Sequence, residues 1–388
     1  MSEFRWQPGQ RVQDIAPSGI RKFFDLLESM PEAISLGIGE PDFITPWHVR
    51  ERGIYSLEKG FTKYTPNAGL SELRLEIERY MNRHYALEYN AKDQILVTVG
   101  GSEAIDLCMR ASLNPGDEVL IPQPSFVCYG PIAMLCGAKP VYIETLAEDR
   151  FRLTPDQLRN AITEKTKLLV LPFPSNPTGG IMERSDLEGL AEVLRGTNIM
   201  VLSDEIYSEL TYGLPHATLA ALPDMYDRTV VINGFSKSHA MTGWRMGYAC
   251  GPREIIEQVT KIHQFAIMSA PTTSQYAAID ALRNGDGDIL AMRGEYDARR
   301  RFVVDALRRM GLPCFEPQGA FYAFPDVRAT GFSSESFCEN LLREQKVAVI
   351  PGSAFGASGE GFVRCCYATS MEQLKEAMAR MERFVNKL

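Results

Sequence analysis

Between residues 95 and 232 the chain alternates short, continuously apolar runs with segments that open on helix-capping residues. Ile95-Leu-Val-Thr-Val99, Glu118-Val-Leu-Ile121, Pro140-Val-Tyr-Ile-Glu144, Lys167-Leu-Leu-Val-Leu-Pro-Phe173, Asn198-Ile-Met-Val-Leu202 and Thr229-Val-Val-Ile232 read as strands. A helix is expected around 127–136, and Thr154-Pro-Asp-Gln157 and Ser185-Asp-Leu-Glu188 match the capping box that starts others. Strands apolar at nearly every position, rather than at every second one, are buried on both faces. The expectation is an α/β fold with a mostly parallel sheet covered by helices on both sides. The last hundred residues break the pattern. They hold a long charged helix at about 288–310, strand-like pieces at Phe321–Phe324 and Phe362–Tyr367, and a closing helix after Ser370-Met-Glu-Gln373. This reads as a smaller α+β domain completed by the N-terminal segment, so the expected division is 46–285 against 1–45 with 286–388. Near the start, Ser18 is placed to cap a helix carrying Ile20, Phe23, Phe24 and Leu27 and ended by Pro31.

Composition excludes several classes of function. Of the 388 residues 45% are hydrophobic and 23% charged, enough to bury a substantial core. The net charge of −8 weighs against nucleic acid or an anionic membrane as the main partner. No apolar run approaches the ~20 residues that span a bilayer. Met1-Ser-Glu-Phe-Arg-Trp6 lacks the apolar core of a signal peptide, so the expected location is the cytoplasm. The eight cysteines form no Cys-x-x-Cys pair and the five histidines are scattered, so reduced thiols and no metal site are expected.

In parallel sheets, ligands bind beyond the carboxyl ends of the strands. Four segments occupy such places. Gly100-Gly-Ser102 opens a helix, where free N–H groups favour a phosphate. Pro174-Ser-Asn-Pro-Thr-Gly-Gly180 is denser in geometry-fixing residues than a turn requires, and Asn176 is its one side chain suited to hold an oxygen. Asp204, followed by Glu205 and Tyr207, suits a pyridinium nitrogen, but taken alone it reads rather as a helix cap or ion pair. Asn233-Gly-Phe-Ser-Lys-Ser-His-Ala-Met-Thr-Gly-Trp-Arg-Met-Gly-Tyr248 carries Lys237 between two serines and Arg245 eight positions on. An amine and a guanidinium there suit a phosphorylated carbonyl cofactor, and a surface turn fits that stretch alone as well. Gly37 and Gly39 let backbone approach a ligand or simply make a turn. Tyr64, in the loop 61–69, reads as a packed aromatic. The four strand ends, taken in order, describe a pocket for pyridoxal 5′-phosphate.

With these residues the chain resembles the class I/II aminotransferases, fold-type I pyridoxal-phosphate enzymes, from Gly37-Ile-Gly-Glu-Pro-Asp42 to the closing helix. Ser175-Asn-Pro-Thr-Gly179, Asp204-Glu-Ile-Tyr207 and Ser236–Arg245 carry most of the likeness. The resemblance implies that Lys237 forms a Schiff base with the cofactor and shuttles a proton. It also implies that Asp204 pairs with the pyridine nitrogen, and that Tyr207 and Asn176 bond the ring 3-oxygen. Gly101, Ser102, Ser236 and Arg245 would hold the phosphate, and Phe126 would stack on the ring. Arg364, with Asn176 and Gly39, would take the substrate α-carboxylate. Tyr64 would reach the phosphate of a neighbouring subunit, which implies a homodimer, and the Asn176–Pro177 bond would be cis. The implied reaction is ping-pong transfer of an amino group from an L-amino acid to a 2-oxo acid, with 2-oxoglutarate or pyruvate as acceptor. A C–S lyase, a decarboxylase or a cyclising lyase would share the same pocket. A non-catalytic regulator would need a DNA-binding segment that this acidic chain is not expected to have. Two departures stand out. Gly234 sits where some relatives carry a phosphate-binding serine, and Phe126 replaces a tyrosine or tryptophan. There is also no second arginine suited to a side-chain carboxylate.

Overall fold

The computed structural model describes residues 6–17, 19, 30 and 32–388. The helix expected from Ser18 through Leu27 and its end at Pro31 lie outside the described residues. The first described strand is β1 (Ile34–Ser35). A seven-stranded sheet is built from β2 (Ile95–Thr98), β3 (Glu118–Gln123), β4 (Lys139–Glu144), β5 (Thr166–Leu171), β6 (Met200–Asp204), β7 (Thr229–Gly234) and β8 (Gly247–Cys250). Its spatial order is β2-β8-β7-β6-β5-β3-β4, and every pairing is parallel except those of β8.

The apolar runs are explained by what lies on each side of the sheet. Successive side chains of a strand point to opposite faces. Leu96, Leu168, Val170, Leu202, Val230 and Ile232 join one core beneath the helices Gly100–Ser112 and Arg253–Ala266. Their neighbours face the other way. Leu169, Leu171 and Val201 pack with the helix Arg184–Leu194. Ile95, Val97 and Val231 pack with the helices Ser71–Tyr85 and Thr272–Asn284. A polar residue at any of these positions would lose water on either face, so period-2 alternation is absent from the sequence.

A further core gathers the C-terminal residues around Phe321, Phe337, Val363 and Phe384, together with Leu36 from the N-terminal segment. Here β9 (Tyr322–Ala323), β11 (Ile350–Pro351) and β12 (Val363–Cys366) form an antiparallel sheet in the order β11-β12-β9. Strand β1 pairs in parallel with β10 (Val347–Ala348), and Cys366 N donates to Leu36 O at 2.8 Å.

Several boundaries differ from the sequence reading. The long helix runs Asp286–Arg309. The helix expected to start at Ser185 begins at Arg184, where Asp186 accepts from Glu183 N at 2.8 Å and caps the turn two residues earlier. Asp204 is the last residue of β6, not a residue beyond it. The antiparallel β8 was not anticipated, because four residues opening on glycine give too little pattern. That strand brings its first glycine against the start of a helix. Gly247 lies opposite both Thr98 and Gly234, and a Cβ there would come within 2.6 Å of the Gly100 backbone. Gly247→Ala is expected to cost about 1–3 kcal/mol of stability from this overpacking, read as a lower urea midpoint with an unchanged m-value.

Candidate active site

The carboxyl ends of β2, β5, β6 and β7 open on one cavity of about 500 Å³. Its walls include Gly39, Gly101, Ser102, Phe126, Asn176, Asp204, Tyr207, Ser236, Lys237, Arg245 and Arg364. All the residues to which the resemblance gives a role in holding cofactor or substrate therefore meet here except Tyr64. That side chain is 81% exposed, not packed as the sequence reading favoured. It projects from a loop whose backbone is held by Thr272, which donates to Lys63 O at 2.8 Å.

At one end of the cavity lies an anion cradle. Gly100 has φ +76° and turns the chain from β2 into the helix Gly100–Ser112. The first N–H groups of a helix have no partner within it, and its dipole is positive there. Arg245 sits against this turn: a Cβ on Gly100 would meet its Nη2 at 2.7 Å. The arginine adopts a left-handed backbone (φ +52°), and its Nη1 donates to Thr242 O at 2.9 Å. Two positive features packed side by side suit a doubly charged phosphate.

Asp204 is buried at the end of β6. Tyr129 Oη donates to its Oδ2 at 2.6 Å and Ile206 N to its Oδ1 at 3.3 Å. Burial raises the carboxyl above its usual range; these two hydrogen bonds pull it back and the neighbouring Glu205 charge adds to the rise. Among the described residues no cationic side chain forms an ion pair with Asp204. Glu205 faces elsewhere, accepting from Ser203 at 2.8 Å and Thr218 at 2.6 Å and lying 2.8 Å from His216 Nε2.

Lys237 follows β7. Its Nζ donates to Gly39 O at 2.6 Å and lies 5.9 Å and 5.7 Å from the ring centres of Tyr207 and Phe321. Burial lowers its pKa to about 8; Cys366 and Glu40 oppose the shift, and Arg364 and Arg245 add to it.

Arg364 projects from β12 and is almost fully buried. Its Nη1 donates to Asn176 Oδ1 at 2.8 Å and its Nη2 to Gly37 O at 2.5 Å. The guanidinium lies over the rings of Tyr322 and Phe355, 4.6 Å and 4.7 Å from their centres. Its Nε has no partner among the described residues. Asn176 is held by the loop after β5, in which Asn176–Pro177 is cis. Because Asn176 Oδ1 accepts from Arg364, its Nδ2 is the group left to donate.

Sequence reasoning missed four polar side chains of the lining, those of Tyr129, Tyr322, Glu40 and Thr242. Tyr129 and Tyr322 lie within stretches that read as core, yet each hydroxyl bonds a site residue; the Tyr322 hydroxyl is 2.7 Å from that of Tyr207. Gly39 is needed beside Tyr322, since a Cβ there would collide with the phenol oxygen. Glu40 and Thr242 also line the cavity, and the threonine hydroxyl bonds the Glu40 carboxylate. The signal available for Tyr129 was its place three residues beyond Phe126, after the end of β3.

Known proteins of one family match the chain over nearly its whole length. The family described as Aminotransferase class I and II matches residues 31–381. YugH of Bacillus subtilis (strain 168), whose name gives the aminotransferase class without a substrate, is 51% identical over 97% of both chains. An aspartate aminotransferase of Pyrococcus abyssi is 46% identical over 96% of this chain and 97% of that one. The crystal structure of an aromatic aminotransferase from Pyrococcus horikoshii OT3 superimposes with a TM-score of 0.90 at 45% identity, covering 94% of this chain and 99% of that one.

The lowered Lys237 pKa gives a direct test. An ordinary lysine is about 0.03% neutral at pH 7, whereas one with a pKa near 8 is roughly 10% neutral. In the ligand-free protein, Lys237 should therefore react fastest of all the lysines with an acylating reagent near pH 7. Its rate should rise with pH to a midpoint near 8, followed by peptide mass spectrometry.

Proposed function

Because the chain belongs to the class I and II aminotransferases, we propose that the cavity between Gly39 and Arg364 is where it transfers amino groups, with Lys237 as the cofactor-bearing amine. The family depends on pyridoxal 5′-phosphate, and this enzyme is an aminotransferase using that cofactor. The residues present fit it. The cradle at Gly101, Ser102, Ser236 and Arg245 suits the phosphate, the cation-free carboxylate of Asp204 suits the ring nitrogen, and Phe126 offers a flat apolar face. Asn176 Nδ2 and Tyr207 Oη are donors suited to the ring 3-oxygen. When bound, the cofactor supplies an aldehyde that takes up an amine and a protonated ring that draws electrons from the substrate α-carbon.

The chain's own residues do the rest. Arg364, whose side chain lines the cavity, binds the α-carboxylate of an L-amino acid or 2-oxo acid. Gly39 O and Tyr322 confine that end of the cavity. Lys237 Nζ, its pKa lowered by burial to about 8, takes up and returns the proton of the substrate α-carbon. Asp204 keeps the ring nitrogen protonated. The observation that carries this reading is the convergence of Lys237, Asp204 and Arg364 on one cavity, with none paired to another. Its cations are all assigned, so a second cation for a dicarboxylate such as 2-oxoglutarate has to come from beyond the described lining, the partner subunit included.

We also propose a homodimer. Tyr64, Phe61, Phe265, Ile267 and Met268 form an exposed apolar patch. Its two loops are tied together by Asn67 Nδ2, which donates to Met268 O at 2.8 Å. An exposed apolar patch of this kind marks an interface, and by the family resemblance Tyr64 would reach the phosphate of a neighbouring subunit. We draw the domain division at 46–285 against 1–45 with 286–388, and we place the enzyme in the cytoplasm, which its eight unpaired cysteines support.

Lys237→Ala is expected to lower kcat by about 10²–10⁴-fold or more and to abolish the cofactor's lysine-bound absorbance, with unchanged circular dichroism. Full turnover in this variant would falsify the assignment. Arg364→Ala should lower kcat/KM for every amino donor by about 10²-fold, leaving the cofactor spectrum intact. Light scattering should give twice the chain mass for the wild type, and Phe265→Asp should shift it toward the single-chain mass while weakening cofactor retention. A wild-type monomer that is fully active would remove the dimer from the account.

A further inference from the structure

The least accounted-for contact in the cavity is the one between Tyr129 and Asp204. Tyr129 opens the helix Tyr129–Leu135 and is buried. Its ring meets Phe126 edge to face with centres 6.2 Å apart, and its hydroxyl donates to Asp204 Oδ2 at 2.6 Å. The carboxylate is otherwise held by one backbone N–H, that of Ile206, at 3.3 Å.

Building on the proposed function, we propose that Tyr129 is a positioning residue that keeps the Asp204 carboxylate ionised and fixed toward the cofactor ring. A carboxylate stripped of water and short of partners takes up a proton and ceases to act as an anion. A phenol hydrogen bond counters this by stabilising the charged form. Burial, reinforced by the Asp204 charge, pushes the Tyr129 phenol well above its usual range. Tyr129 therefore remains a donor at every accessible pH. A histidine at the same place would change its charge and its donor set between about pH 5 and 8. The edge contact with Phe126 links the residue that holds the carboxylate to the one that covers the ring, so both are set by the turn 125–129.

The other ionisable groups near Asp204 do not substitute for this bond. Cys128, on the same turn, is held protonated by burial. Glu205 is a like charge engaged by Ser203, Thr218 and His216. The Tyr207 hydroxyl is paired with Tyr322. Lys237 donates to Gly39 O and Arg245 to Thr242 O.

The test is the pH dependence of cofactor binding to cofactor-free protein, followed by absorbance or fluorescence titration. In Tyr129→Phe the dissociation constant for pyridoxal 5′-phosphate should rise roughly ten- to a hundredfold at pH 7. The acid limb of its pH profile should move up by at least about one pH unit. Inorganic phosphate binding at the Arg245 cradle serves as the control for general damage and should be unchanged. An acid limb that does not move, or a phosphate affinity that falls as much as the cofactor's, overturns the positioning role. If wild-type protein binds no cofactor, the proposed function fails. If the wild type binds and Tyr129→Phe behaves identically, only this inference fails.

Discussion

Three charged groups withdrawn from water in one cavity, none of them neutralised by another, set the terms for the rest of the fold. Asp204 has a phenol and an amide, Lys237 a single carbonyl, and Arg364 two oxygens and two aromatic faces. Each arrangement offsets part of the desolvation cost and leaves a valence unfilled. Collapse of the charges onto one another is prevented by where their elements are anchored. Asp204 ends a central strand, Lys237 follows the adjacent one, and Arg364 stands in a separate sheet with its own core. The scaffold holds apart groups that attraction would otherwise bring together.

The glycines of the site are the other half of this arrangement. Gly100 and Gly247 let β8 and the first turn of the helix Gly100–Ser112 approach closely enough to place a guanidinium beside free N–H groups. Gly39 lets the N-terminal segment cross the Tyr322 hydroxyl so that its carbonyl reaches Lys237. At these points the absent side chain is a condition for the charges being where they are.

Much of this was legible in the sequence, because a charged or hydrogen-bonding residue after an apolar strand stands out. Asp204, Asn176, Lys237 and Arg245 are conspicuous for that reason. So are the parallel strands β5, β6 and β7, whose burial on both faces leaves unbroken apolar runs. Tyr129 and Tyr322 were illegible because an aromatic in an apolar stretch looks the same whether its hydroxyl meets a carboxylate or nothing. Tyr64 misled in the opposite sense: hydrophobic character does not reveal that a ring points outward, as this one does at 81% exposure. The start of the helix Arg184–Leu194 was misjudged because Glu183 with Asp186 and Ser185 with Glu188 offer the same polar spacing at neighbouring places, and only the path of the chain selects between them.

The bond from Arg364 Nη2 to Gly37 O joins residues 327 positions apart, and β1 pairs with β10 across a similar span. Such contacts are slow to form, because a long loop has to close before they return any stabilisation. During synthesis, the sheet that carries Lys237 and Asp204 is complete more than a hundred residues before Arg364 leaves the ribosome. At that stage the chain holds Lys237, Asp204 and Arg245, whereas Phe321, Cys366 and Arg364, which set the surroundings of the Lys237 amine, are still to be made. The environment of the amine is thus finished by the last part of the chain, and a chain cut short before β12 would leave Lys237 beside a cavity with one wall missing.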